Sequence, residues 1–197
     1  MDNLLQTLSS SLDDKTLRQI SSTLGADEGQ TERAISAALP MLIGALGRNT
    51  ATPEGAQSLT NALARDHDGS ILNNLAGQLT QPSTLQDGMG ILGHILGGKQ
   101  DAVQTGLSQV SGLDKNSTGQ LLMMLAPVLL GALGKVQREE NLEPGQVATL
   151  LQKEREKAES NLGGLASLLD MDGDGSVVDD LMTLGSSLLS GLFGKRK

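Results

Sequence analysis

Three observations predict an all-α fold. Leu is the commonest residue of the 197-residue chain, and apolar residues recur at three- and four-residue spacing, the period of a helix with one buried face. No stretch alternates apolar and polar residues as a half-buried strand would. The third observation is an internal duplication, found by sliding the sequence along itself.

A shift of 87 positions lays Ile20–Arg48 on Leu107–Lys135 and pairs Asp27 with Asp114, Thr31 with Thr118, and Pro40 with Pro127. The run Gly44-Ala45-Leu46-Gly47 then falls on Gly131-Ala132-Leu133-Gly134. Two more segments follow in the same order. DHDGSILNNL (Asp66–Leu75) parallels DGDGSVVDDL (Asp172–Leu181), and GILGHILGGK (Gly90–Lys99) parallels SLLSGLFGKR (Ser187–Arg196). The fold expected is a helical bundle of two sequence-related repeats, residues 1–99 and 100–197, either side by side or intertwined in one domain.

Each element has a local reason. Asp27 and Asp114 precede polar first turns and are placed to cap the helices that run toward Pro40 and Pro127. Each of those prolines lies inside an apolar helix, where it removes a hydrogen bond and crowds the preceding turn, so a kink or break is expected. The small residues of both GALG runs permit close approach of another helix. The two matching segments are therefore expected at the centre of the molecule, around a pseudo-twofold axis. The stretch Leu121–Leu133 is the most apolar. Thirteen helical residues span about 20 Å, short of a bilayer core of about 30 Å, so it reads as a buried core helix.

Composition narrows the function. One Phe and no Trp or Tyr leave no aromatic platform for stacking bases or sugars. A net charge of −8 opposes binding to nucleic-acid phosphates. The absence of cysteine removes disulfides, thiolate metal sites and cysteine nucleophiles together. The opening MDNLLQTLSSSLDDK has neither a basic start nor a long apolar stretch, so no signal peptide is indicated and a cytoplasmic location is expected.

The chemically pointed motif is Asp170-Met171-Asp172-Gly173-Asp174-Gly175-Ser176. Calcium takes six to eight oxygen ligands, and an EF-hand loop supplies them from positions 1, 3, 5, 7, 9 and 12, with glycine at 6. Asp170, Asp172 and Asp174 fill positions 1, 3 and 5, Gly175 fills 6, and Ser176 offers its carbonyl at 7. Flanking residues 161–169 and 177–189 read as helical. Position 12 is Leu181 where the motif has a bidentate Glu, so Asp179 or Asp180 must close the shell and affinity falls to about 10⁻⁶ to 10⁻³ M. The competing reading is a turn and capping box, Ser176 with Asp179, in which three neighbouring carboxylates have no task. The first repeat offers a weaker second metal candidate in Asp66, Asp68, Ser70 and Asn73, with Asn74 alongside. Ala64 replaces its position-1 carboxylate, and cap-and-turn is the better reading there.

The segments GQTERAISAALPMLIGALGRN, DHDGSILNNL, GILGHILGGKQ and STGQLLMMLAPVLLGALGK resemble the bacterial YidB-like family, a domain of unknown function, in its longer, duplicated form. The resemblance runs from about residue 20 to about residue 190. It implies an all-helical, soluble bacterial protein with no assigned enzymatic activity and no family active site to carry over.

The remaining motifs do not build an enzyme. His67 and His94 are the only histidines; His94 has no nucleophile candidate nearby in sequence, and His67, in the first acidic turn, reads as a solvated turn residue before a nitrogen ligand for a softer metal such as zinc. There is no Gly-x-Ser-x-Gly elbow and no phosphate loop ending in Gly-Lys-Ser or Gly-Lys-Thr. The function expected is therefore a non-enzymatic calcium-binding structural or interaction protein, its ion ordering the C-terminal helix and its protein partner unknown. The alternative is a metal-independent adaptor for a membrane surface or partner. It would use the apolar stripe Leu181-Met182, Leu184, Leu188-Leu189, Leu192-Phe193 and the basic end Lys195-Arg196-Lys197.

Overall fold

The computed structural model describes residues 4–161, and side chains up to residue 157. Within that span there is no strand. The helices are α1 (Leu4–Ser11), α2 (Asp14–Leu24), α3 (Glu28–Asn49), α4 (Pro53–Asp66), α5 (Leu75–Gln78), α6 (Pro82–Leu96), α7 (Gln100–Ser111), α8 (Lys115–Glu139) and α9 (Pro144–Asn161). Short 3₁₀ segments at Ser70–Asn74 and Gly97–Lys99 lead into α5 and α7. The fold is all-α, as the periodicity predicts.

The helix starts follow from the sequence. The Asp27 carboxylate accepts from Gly29 N and Gln30 N at 2.9 and 3.3 Å, and the Asp114 carboxylate from Asn116 N and Ser117 N at 2.9 and 3.1 Å. These bonds satisfy amides that the first helical turn leaves without partners. The threonine four residues on returns its hydroxyl to the cap carbonyl in both helices, Thr31 to Asp27 and Thr118 to Asp114. Just upstream, Gly25 and Gly112 end α2 and α7 in the left-handed region, at φ 64° and 80°. A side chain would be strained at either position.

Neither α3 nor α8 breaks at its proline; each helix continues past Pro40 or Pro127 to its capped end. A missing N–H removes a single bond, and for α8 the surrounding burial outweighs it. From Leu121 to Gly134, all of α8 is buried except the half-buried Met123. The apolar stretch seen in the sequence is thus the middle of a 25-residue helix. At that length α8 passes the length and hydropathy test for a membrane span, yet 83% of its most apolar window is buried inside the described body. Burial, rather than length, makes it a core helix.

Packing crosses the expected boundary at residues 99 and 100. α3 lies against α7 and α9, while α8 lies against α2 and α4. The exchange extends to the helix ends. Gln30 Nε2 of α3 donates to Gly112 O at the end of α7, and Ser117 Oγ of α8 donates to Leu24 O at the end of α2. A single apolar core runs from Leu4 to Leu151, through α3 and α8 at its centre.

Candidate functional site

The strongest sequence candidate, Asp170, Asp172, Asp174, Ser176, Asp179 and Asp180, lies outside the described residues. Its first-repeat relative is described, and it forms the turn that leaves α4. Leu63 O receives the His67 N–H at the end of α4, and Gly69 turns the chain with φ 87°. Asp68 Oδ1 accepts from Ser70 N at 2.9 Å, closing the turn.

Both carboxylates here already face cations. Asp66 Oδ2 is 2.7 Å from Arg65 Nη2, and Asp68 Oδ2 is 3.8 Å from Arg138 Nη1 on α8. Each is held below the ordinary carboxylate range: Asp66 chiefly by its hydrogen bond from Arg65, Asp68 chiefly by those from Ser70. Asn73 is exposed in the following 3₁₀ segment. The structure therefore brings Asp68 and Ser70 together in a capped turn and directs Asp66 to Arg65. Among the described residues no group of three or more His, Asp or Glu side chains is gathered to hold a metal ion.

A groove of about 1010 Å³ opens beside this turn, between α4 and α6. Leu59, Ile91, Ile95 and Leu130 contribute apolar lining, and Asn61, Arg65, Ser83 and Gln86 are among its polar residues. Both histidines line it. His67 Nδ1 lies 3.9 Å from Asp87 Oδ2 on α6, while His94 is exposed farther along that helix. Asn49 Nδ2, from the end of α3, donates to His94 O and Ile95 O and so ties down the last turn of α6. In sequence the two histidines are unconnected, and the pattern that points to the groove is the spacing of Ser83, Asp87, Gly90 and His94, three or four residues apart on one face of a helix. Chemically the groove offers an imidazole–carboxylate pair and hydrogen-bonding amides and hydroxyls above an apolar lining.

Fold and turn together define an all-helical protein built on two centrally placed, proline-containing helices with GALG runs. The family whose model matches is described as bacterial protein of unknown function (DUF937), over residues 6–136. The match covers well over half of the chain and crosses from one expected repeat into the other; the protein belongs to this family. No curated protein and no solved structure matches the chain.

Proposed function

We propose that the protein is a non-enzymatic, calcium-binding structural or interaction protein of the cytoplasm, with the ion held by the second acidic segment. Asp170, Asp172 and Asp174 ligate through carboxylates, Ser176 through its carbonyl, and Asp179 or Asp180 closes the shell. The ion neutralises three like charges and fixes the start of the C-terminal helix.

The observation that carries this reading is a difference in charge compensation. In the described turn, Asp66 and Asp68 are matched by Arg65 and Arg138. The residue aligned with Arg65 in the second repeat is Met171, and the residue aligned with Arg138 in the first is Ala51. The second segment thus drops both cations and adds Asp170. Carboxylates brought together without a cation repel, and a bound divalent ion removes that cost.

Calorimetric titration of the full chain with calcium tests the reading. Binding at about 10⁻⁶ to 10⁻³ M is expected, weakened at least about tenfold in Asp172→Ala. Heat that persists unchanged in the variant, or no heat in either protein, rejects the assignment.

A further inference from the structure

The two GALG runs have one sequence but different surroundings. On α8, the turn after α4 is pressed into the run. A Cβ at Gly134 would lie 1.9 Å from His67 O, and one at Gly131 would lie 2.5 Å from Ile71 Cγ2. Earlier on the same helix, Pro127 has no N–H for Met123 O, and Gly88 of α6 packs against that carbonyl. A Cβ at Gly88 would be 1.9 Å from it. Glycine at these points lets backbone meet backbone.

On α3 the equivalent places have no such neighbours among the described residues. None of their atoms comes within 4 Å of a Cβ at Gly47, and at Gly44 only Arg48 Nη1 reaches, at 4.0 Å. Pro40 likewise deprives Ser36 O of its helical donor, and Ser36 is exposed where its counterpart Met123 is half-buried.

The chain after α9 carries the matching pieces. Aligning Asp66–Leu75 with Asp172–Leu181 puts Gly173 and Val177 at the positions of His67 and Ile71. Continuing the alignment of Gly90–Lys99 with Ser187–Arg196 back by two residues puts Gly185 at the position of Gly88. Because α9 packs on α3, the described chain ends on a helix that neighbours α3. Residues 162–171 span up to about 35 Å when extended, enough to reach along the helix.

We propose that residues 172–196 of this same chain dock on α3 as residues 66–99 dock on α8. The second acidic turn seats on Gly44 and Gly47, and Gly185 passes over the Ser36 carbonyl. The docking rests on backbone packing and stands whether or not an ion is bound. It assigns the C-terminal apolar stripe to the protein's own core and away from a membrane surface or a foreign partner.

The natural chain has no cysteine, so introduced pairs report without background. The control pair is Ile71→Cys with Gly131→Cys, whose Cβ atoms would lie 4.0 Å apart, inside the disulfide range of about 3.5–4.5 Å. The test pair is Gly44→Cys with Val177→Cys in the full chain. Docking predicts that both pairs oxidise within the monomer, seen as a faster-migrating band before reduction. A control that locks beside a test pair that stays reduced overturns the proposal. So does a test pair that links only as dimers, which gives the face to a second copy. Oxidation is run with calcium and with chelator. A lock in either condition supports docking, while the titration alone decides ion binding, so the two readings fail separately. If Gly44→Cys disturbs folding, Gly185→Leu decides. Faster hydrogen exchange across residues 36–47, with α6 and α8 still protected, is expected, and unchanged exchange in α3 overturns the proposal.

Discussion

Gly88 and Gly93 lie five residues apart in α6 and answer differently to one added methyl group. At Gly88 the methyl carbon would collide with the backbone oxygen of Met123, so α6 and α8 must separate. Gly88→Ala is expected to cost about 1–3 kcal/mol, the usual range for overpacking. Gly93 is exposed with no described atom within 4 Å of the added carbon, and Gly93→Ala is expected to stabilise by about 0.5–1 kcal/mol. Urea unfolding of the two variants checks the pair; shifts of equal sign would show that the α6–α8 approach is not tight. Glu154 makes a second residue-scale prediction. Its carboxyl is 0% exposed, accepts from Leu5 N at 3.2 Å and faces Lys157 Nζ at 3.0 Å, which pins the first turn of α1 to α9. Glu154→Ala leaves the Leu5 amide without that acceptor and is expected to cost about 1–3 kcal/mol. Glu154→Gln keeps an acceptor and loses less, by the same measurement.

At the scale of the element, the capping aspartates tie helix starts to pH. Asp114 is held below the ordinary carboxylate range, first by the Ser117 hydroxyl and then by the amides of Ser117 and Asn116. Asp13 is held down first by the Thr16 amide at the start of α2. A pKa lowered by folding adds stability that is complete above the unfolded value near 3.8 and is lost as pH falls through the folded one. Thermal melts from pH 6 to pH 2 are expected to hold level and then decline below about pH 4. The double variant Asp13→Asn, Asp114→Asn, which caps without titrating, is expected to decline less steeply. An identical acid limb in both proteins would assign the decline to other carboxylates.

The caps were legible in the sequence because a cap is local: an acid, a polar turn and an apolar run suffice. The continuity of α3 and α8 through their prolines was not, because a proline's penalty is local while the burial that offsets it comes from other helices. The start of α8 was legible from Asp114, which caps it well before its apolar centre; its end at Glu139 was not, because no glycine or proline marks the stop. Of the candidate site, the first-repeat turn was legible as cap-and-turn. The groove beside it was not, since it exists only once α4 and α6 are set side by side on α8.

For the whole molecule, exchanged packing makes the core indivisible. α3 buries itself on α7 and α9, and α8 on α2 and α4, so neither residues 1–99 nor 100–197 holds a complete set of neighbours for its central helix. The fragment 1–99 is expected to show weak helical circular dichroism and no cooperative melt, whereas the intact chain melts with equal calorimetric and van't Hoff enthalpies over its core. A folded, cooperative fragment would mean that the halves are independent domains. The likeness between Ile20–Arg48 and Leu107–Lys135 was visible in the residues. Which half packs on which was not, because identical seams leave the choice between self and exchange to linker length and to contacts between distant positions.

The bonds from Gln30 to Gly112 and from Ser117 to Leu24 also bear on the ribosome. They join residues 82 and 93 positions apart, and α3 gains α9 only when residues 144–161 have emerged. At about 5–20 residues per second, the nascent α3 waits roughly 5–20 s with its oily face uncovered. During that interval the half-made chain carries the kind of exposed apolar surface that aggregates.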